Sequence, residues 1–235
     1  MSTQKPVYLM AGGRKEGLRS TSRIMRSIIK DIGKEKPVIA YIGVASGDNW
    51  GFYQMISGMI KKATPCQVKR VLIAHKKADL DKARTTLQSA DAIFMSGGDM
   101  EAGMKILLEK NMVGIFRDLH KQDKLFFGVS AGSIMLADEW VRWRDPEDEA
   151  TSELFPCLGI APVICDTHAE EDGWEELKTA LLLKKDSAVG YGIPSGACLK
   201  VHPDGALEAL GGAIIQYGMD KGKVKRRADL LPIKP

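Results

Sequence analysis

The sequence predicts an α/β fold in three layers, a mostly parallel sheet covered by helices on both faces, and two observations predict it. Short apolar runs of strand length alternate with amphipathic segments of helix length, the pattern of repeated βαβ units. Several of these runs break into glycine-bearing turns, as strands do at the carboxyl edge of a parallel sheet. With 235 residues, 44% hydrophobic and 27% charged, the chain can bury one sizeable core, and a single domain over residues 1–235 is expected.

Val7-Tyr8-Leu9-Met10 reads as the first strand, broken at Ala11-Gly12-Gly13 before an amphipathic helix from about Ser20 to Ile32. Those glycines match neither the dinucleotide nor the Walker spacing, so Gly12 is expected at a cleft on the sheet edge and not at a phosphate. Val38 to Val44 forms a second strand, followed by the loop Ala45 to Trp50 and a helix through Lys62. Val68 to Ala74 supplies a third strand, and Leu80 to Ser89 a helix with Leu80, Ala83 and Leu87 on one face. A fourth strand, Ala92 to Met95, runs into Ser96-Gly97-Gly98-Asp99-Met100, with helices over 101–108 and 113–121 beyond it. Glycine amides approach a ligand closely and can donate to an oxyanion, so Gly97, Asp99 and Met100 are expected to line a substrate cleft.

The strongest chemical signal follows. Lys124 to Val129 is an apolar strand that stops abruptly at Ser130-Ala131-Gly132-Ser133, and Ser133 to Ala137 can begin a helix. Gly128-Val129-Ser130-Ala131-Gly132 is the G-x-S-x-G pattern of a nucleophile elbow, where small neighbours let the backbone turn sharply and lift a hydroxyl above the sheet. The same residues taken alone also suit a packing turn or a phosphate cradle.

Beyond the elbow, Trp140 to Arg144 alternates like a strand, and Asp145-Pro146-Glu147-Asp148-Glu149 is an acidic loop whose ordinary role is a solvated face. Leu158 to Cys165 reads as an apolar strand leading to Asp166-Thr167-His168. His75, His120 and His202 read as surface residues, which leaves His168 as the candidate general base for Ser130. A helix over Trp174 to Leu183 precedes short strands at Ala188 to Ile193, Ala197 to Val201, Ala206 to Leu210 and Ala213 to Tyr217.

Composition narrows the function classes. No run is long enough to span a bilayer and the first residues lack a signal-peptide core, so a cytoplasmic protein with no membrane partner is expected. Cys66, Cys157, Cys165 and Cys198 show neither zinc-ligand spacing nor a disulfide framework; no metal and no cofactor is expected. The formal charge is only +4, and the basic cluster Lys221, Lys223, Lys225, Arg226 and Arg227 has no interleaved aromatics, so a solvated terminal segment is expected and no nucleic-acid partner. A homodimer is an open expectation.

The order Gly97-Gly98-Asp99, Gly128-Val129-Ser130-Ala131-Gly132 and Cys165-Asp166-Thr167-His168 resembles the serine peptidase family that includes dipeptidase E and cyanophycinase, across most of the chain. Leu154-Phe155-Pro156 and Gly190 to Ala197 support it. The resemblance implies the fold of class I glutamine amidotransferases and a serine-type hydrolysis of dipeptides or small amides through an acyl-enzyme. It implies Ser130 as nucleophile, His168 as general base, and the amides of Gly98 and Ala131 as the oxyanion hole. Asp145 matches the position of the third, acidic member, with Glu147 in the same loop as the alternative. Two departures concern the substrate: the family's aspartyl-cleaving members follow the histidine with phenylalanine and arginine-bearing positions, where this chain has Ala169-Glu170-Glu171-Asp172; and cyanophycinase-like members carry glutamine where Met100 stands. The acidic residues instead suit a peptide with a basic or neutral group.

Three other readings compete. A catalytically inactive module could bind a ligand at the same cleft. A glutamine amidotransferase would carry cysteine in place of Ser130, and an esterase-type α/β-hydrolase would need more chain after the elbow.

Overall fold

The computed structural model describes residues 4–12, 18–145, 147–185 and 188–232. In chain order the elements are β1 (Val7–Met10), α1 (Leu18–Ile32), β2 (Val38–Ile42), α2 (Trp50–Ala63), β3 (Gln67–Val71), α3 (Leu80–Ser89) and β4 (Ala92–Met95). Then come α4 (Met100–Glu109), α5 (Val113–Lys121), β5 (Leu125–Val129), α6 (Ala131–Leu136), β6 (Glu139–Trp143) and β7 (Ser152–Pro156). The chain continues through β8 (Ile164–Thr167), α7 (Glu175–Lys184), β9 (Val189–Ile193), β10 (Cys198–Val201), β11 (Leu207–Leu210), β12 (Ile215–Asp220) and β13 (Lys223–Arg226).

A seven-stranded sheet in the order β11-β10-β1-β5-β4-β2-β3 forms the centre, parallel from β1 through β3 and antiparallel at β10 and β11. Alternation along each strand splits the apolar side chains between two faces. Leu9, Ile42, Ile93, Met95 and Phe126 meet Leu87, Met104, Leu107, Phe116 and Met135, from α3 to α6, on one face. Tyr8, Tyr41, Phe94 and Phe127 meet Ile24, Met25, Ile28 and Ile60, from α1 and α2, on the other. The three layers expected from the βαβ pattern are therefore present.

The C-terminal part builds a second sheet, in the order β13-β12-β9-β8, with α7 packed on it through Leu177, Ala180 and Leu181. β6 and β7 form a separate hairpin.

Several boundaries differ from the sequence reading, each for a local reason. The third strand stops at Val71 because the amides of Ile73 and Ala74 donate to Asp48 Oδ2, at 2.8 and 2.7 Å, and not to a neighbouring strand. The run from Leu158 is not strand until Ile164: Leu158, Gly159, Ile160 and Ala161 donate to the carbonyls of Met135, Ala137 and Leu136, closing the end of α6. The basic segment near the C-terminus is an edge strand, β13, although its lysines and arginines are solvated as expected; lysine on an edge discourages pairing with another sheet. His120 is not a surface residue. Its ring packs edge-on against Phe126, and burial pushes its pKa down.

Candidate active site

β5 delivers Ser130. The elbow is tight enough that its glycines are required by contact: a Cβ on Gly128 would lie 2.5 Å from the Gly132 carbonyl oxygen, and one on Gly132 would lie 2.2 Å from that of Met95. The end of β1 fastens the turn, since Met10 O accepts both the Ser130 amide at 2.9 Å and the Ser133 hydroxyl at 2.8 Å. Ser130 itself takes φ 54° and ψ −129°, a conformation costly for a residue with a side chain. As the first residue of α6, Ala131 carries an amide for which the helix has no carbonyl partner.

β4 runs parallel to β5 with Met95 opposite Gly128, so the loop after β4 leaves the sheet beside the elbow. A Cβ on Gly97 would lie 3.2 Å from Ser130 Cβ. Gly98, at φ 141°, sits so close to the Ala45 backbone that a Cβ would approach its oxygen to 2.1 Å. Asp99 caps α4, accepting the Ala102 amide at 2.9 Å, which uses its carboxylate structurally.

The imidazole arrives from the second sheet. β8 ends at Thr167, and His168 turns away with φ 46° while its amide donates to Ile193 O at 3.0 Å. Ser130 Oγ and His168 Nε2 are 2.7 Å apart. The pair lies in a cleft of about 400 Å³. It is lined by Gly98, Asp99, Met100 and Glu101 after β4, by Ser130, Ala131 and Ile134 at the elbow, and by Asp166 to Ala169 with Asp172, Glu176 and Trp140.

Asp145, its alternative Glu147, and Gly12, all expected at the site, lie elsewhere. Asp145 is not among the residues lining this cleft; its Oδ1 accepts the Glu147 amide at 3.1 Å, and its amide donates to Thr151 Oγ1 at 3.0 Å. The hairpin explains this. Trp140, near the start of β6, reaches the cleft, whereas Asp145 and Glu147 lie past the end of β6, in the connection between the two strands of the hairpin. Gly12 lines a different, apolar cavity, with Met10, Met25, Phe94, Phe127 and Val129 around it.

The sequence reading missed the carboxylates that do line the cleft wall, Asp166 and Glu176. Asp166 is only 4% exposed; its Oδ1 accepts the Thr167 amide at 2.7 Å, while its Oδ2 is buried without a partner. Burial, reinforced by the charge of Glu176, pushes the Asp166 carboxyl up to about 7. Glu176 is also raised by burial, although the Trp140 indole N–H, donating at 3.1 Å, opposes the shift. The available signal was nearness in sequence: Asp166 stands two residues before His168, at the end of β8.

The sequence profile of Peptidase family S51 matches residues 7–209. The fold is similar to that of a peptidase from an acI-B1 Actinobacterium, with a TM-score of 0.75 at 18% identity over 98% of this chain and 96% of that one. It is also similar to a putative peptidase E protein from Listeria monocytogenes EGD-e, with a TM-score of 0.64 at 13% identity over 88% of this chain and 98% of that one. No curated protein matches. A profile match across most of the chain leads to one assignment: the chain belongs to peptidase family S51.

Proposed function

We propose that this protein is a serine peptidase that hydrolyses dipeptides or small peptides through an acyl-enzyme on Ser130. The observation that carries the reading is the 2.7 Å contact between Ser130 Oγ and His168 Nε2. In the tautomer with its proton on Nδ1, His168 accepts the serine hydroxyl at Nε2 and takes its proton as Oγ attacks the amide carbonyl. The amides of Gly98 and Ala131 hold the developing oxyanion. His168 then gives the proton to the leaving amine, and a water molecule activated by the same imidazole releases the acyl group. Asp145 has no part in this sequence.

The contact also weighs against an inactive binding module, for which nothing would keep a hydroxyl and an imidazole in hydrogen-bond geometry on two strained backbones. A fluorophosphonate probe followed by peptide mapping tests the proposal. The expected adduct is on Ser130, absent in Ser130→Ala and formed far more slowly in His168→Ala. An adduct elsewhere, or undiminished peptide turnover in either variant, refutes it.

A further inference from the structure

Asp166 breaks a strong rule of protein interiors. A carboxylate that is almost wholly buried ordinarily has every oxygen paired, yet Oδ2 of Asp166 has no hydrogen-bond donor. Its surroundings make the deficit worse: the neighbouring charges that raise its carboxyl belong to Glu176, Asp172 and Glu170. Among the described residues, no lysine or arginine forms an ion pair with Asp166 or Glu176, whereas Glu101 across the same cleft is matched by Arg142 at 3.0 Å. The fold therefore concentrates unmatched negative charge on one wall of the cleft and leaves one buried oxygen without a donor.

We propose, resting on the peptidase reading, that this wall is a cation subsite in which Asp166, with Glu176 and Asp172, takes a protonated amine of the peptide substrate. Such a group supplies the missing donor and the missing positive charge together. Asp166 stands two residues before His168 and lines the same cleft, which puts the subsite beside the imidazole. The indole of Trp140, held by its N–H to Glu176 Oε2, offers an apolar surface for the methylenes that carry such a charge. The amine has two sources, the substrate's N-terminal ammonium or a lysine side chain.

The test uses matched dipeptides, lysine against norleucine and free against acetylated N-termini, with kcat/KM measured for wild type, Asp166→Asn and Glu176→Gln. The wild type is expected to favour the charged member of one pair by about tenfold or more, and the pair that responds names the source of the amine. Asp166→Asn is expected to collapse that ratio to below about threefold, with Glu176→Gln intermediate. Equal rates in wild type for both pairs, or a preference unchanged in both variants, overturn the subsite. A readout independent of hydrolysis separates this from failure of the peptidase reading: n-butylammonium, with 1-butanol as the neutral control, is titrated calorimetrically into wild type, Ser130→Ala and Asp166→Asn. Saturable binding to the first two and not the third supports the subsite even if no peptide is cleaved. No binding of n-butylammonium to wild type, or equal binding to Asp166→Asn, overturns it.

Discussion

Ser130 and His168 each leave their strand with a positive φ, 54° and 46°, and these two kinks bring Oγ and Nε2 to 2.7 Å from different sheets. A non-glycine residue in that region costs on the order of 1–3 kcal/mol, and here two such residues face each other. The packing around them maintains the geometry: Met10 O grips the elbow from β1, and Ile193 O grips the His168 amide from β9. Strain confined to a strand end, with the sheet behind it intact, places side chains for reaction without loosening the core.

Because the hairpin carries Asp145 away from the imidazole, Asp145→Asn is expected to change kcat/KM by less than about threefold, against a loss of about 10³-fold or more in His168→Ala. Steady-state kinetics on one cleaved peptide decides the matter. A loss in Asp145→Asn comparable to that in His168→Ala would restore the acid to the mechanism.

The Asp166 carboxyl is pushed above its unfolded value of 3.8 to about 7, so the folded state holds a proton that the unfolded state has released between those values. Its contribution to stability is present below about pH 4 and is lost as pH rises to about 7. Asp166→Asn removes that ionisation. Urea unfolding should find the variant more stable than wild type at pH 8, by a few kcal/mol at most, with the difference shrinking toward pH 4. A stability difference that does not move with pH contradicts the assignment.

At the elbow, Gly132→Ala would drive a Cβ to 2.2 Å from the Met95 carbonyl oxygen, so β4 and α6 would have to separate. A loss of about 2–4 kcal/mol in chemical denaturation is expected, with activity lost in parallel. Gly58→Ala, on α2 with open space around the added carbon, should be neutral or slightly stabilising. Equal stability of the two variants would contradict this packing.

The thiols provide a check on the core. Burial raises the pKa of Cys157 to about 12, and raises Cys165 and Cys198 as well, while Cys66 is half-buried and raised less. A disulfide-exchange reagent at pH 7.5 should modify Cys66 slowly in the native protein and the other three only with unfolding, as mass mapping would show. Rapid native labelling of Cys165 would mean that the strand behind His168 is open.

Much of this architecture follows from local pattern. Strands such as Ala92–Met95 and helices such as Leu80–Ser89 and Val113–Lys121 fall where apolar periodicity and turn residues place them, because those signals report directly on which face is buried. The elbow is equally local, since G-x-S-x-G describes a steric requirement within five consecutive residues. Tertiary structure alone decided that Ser130 and His168 come from separate sheets, that Leu158 to Ala161 cap a helix, and which carboxylates stand at the cleft. An acidic residue looks the same in sequence at a hairpin tip, as Asp145 is, or in a desolvated wall, as Asp166 is. Its role depends on where distant segments carry it and on how much water and countercharge they leave around it, and neither quantity is written in its neighbours along the chain.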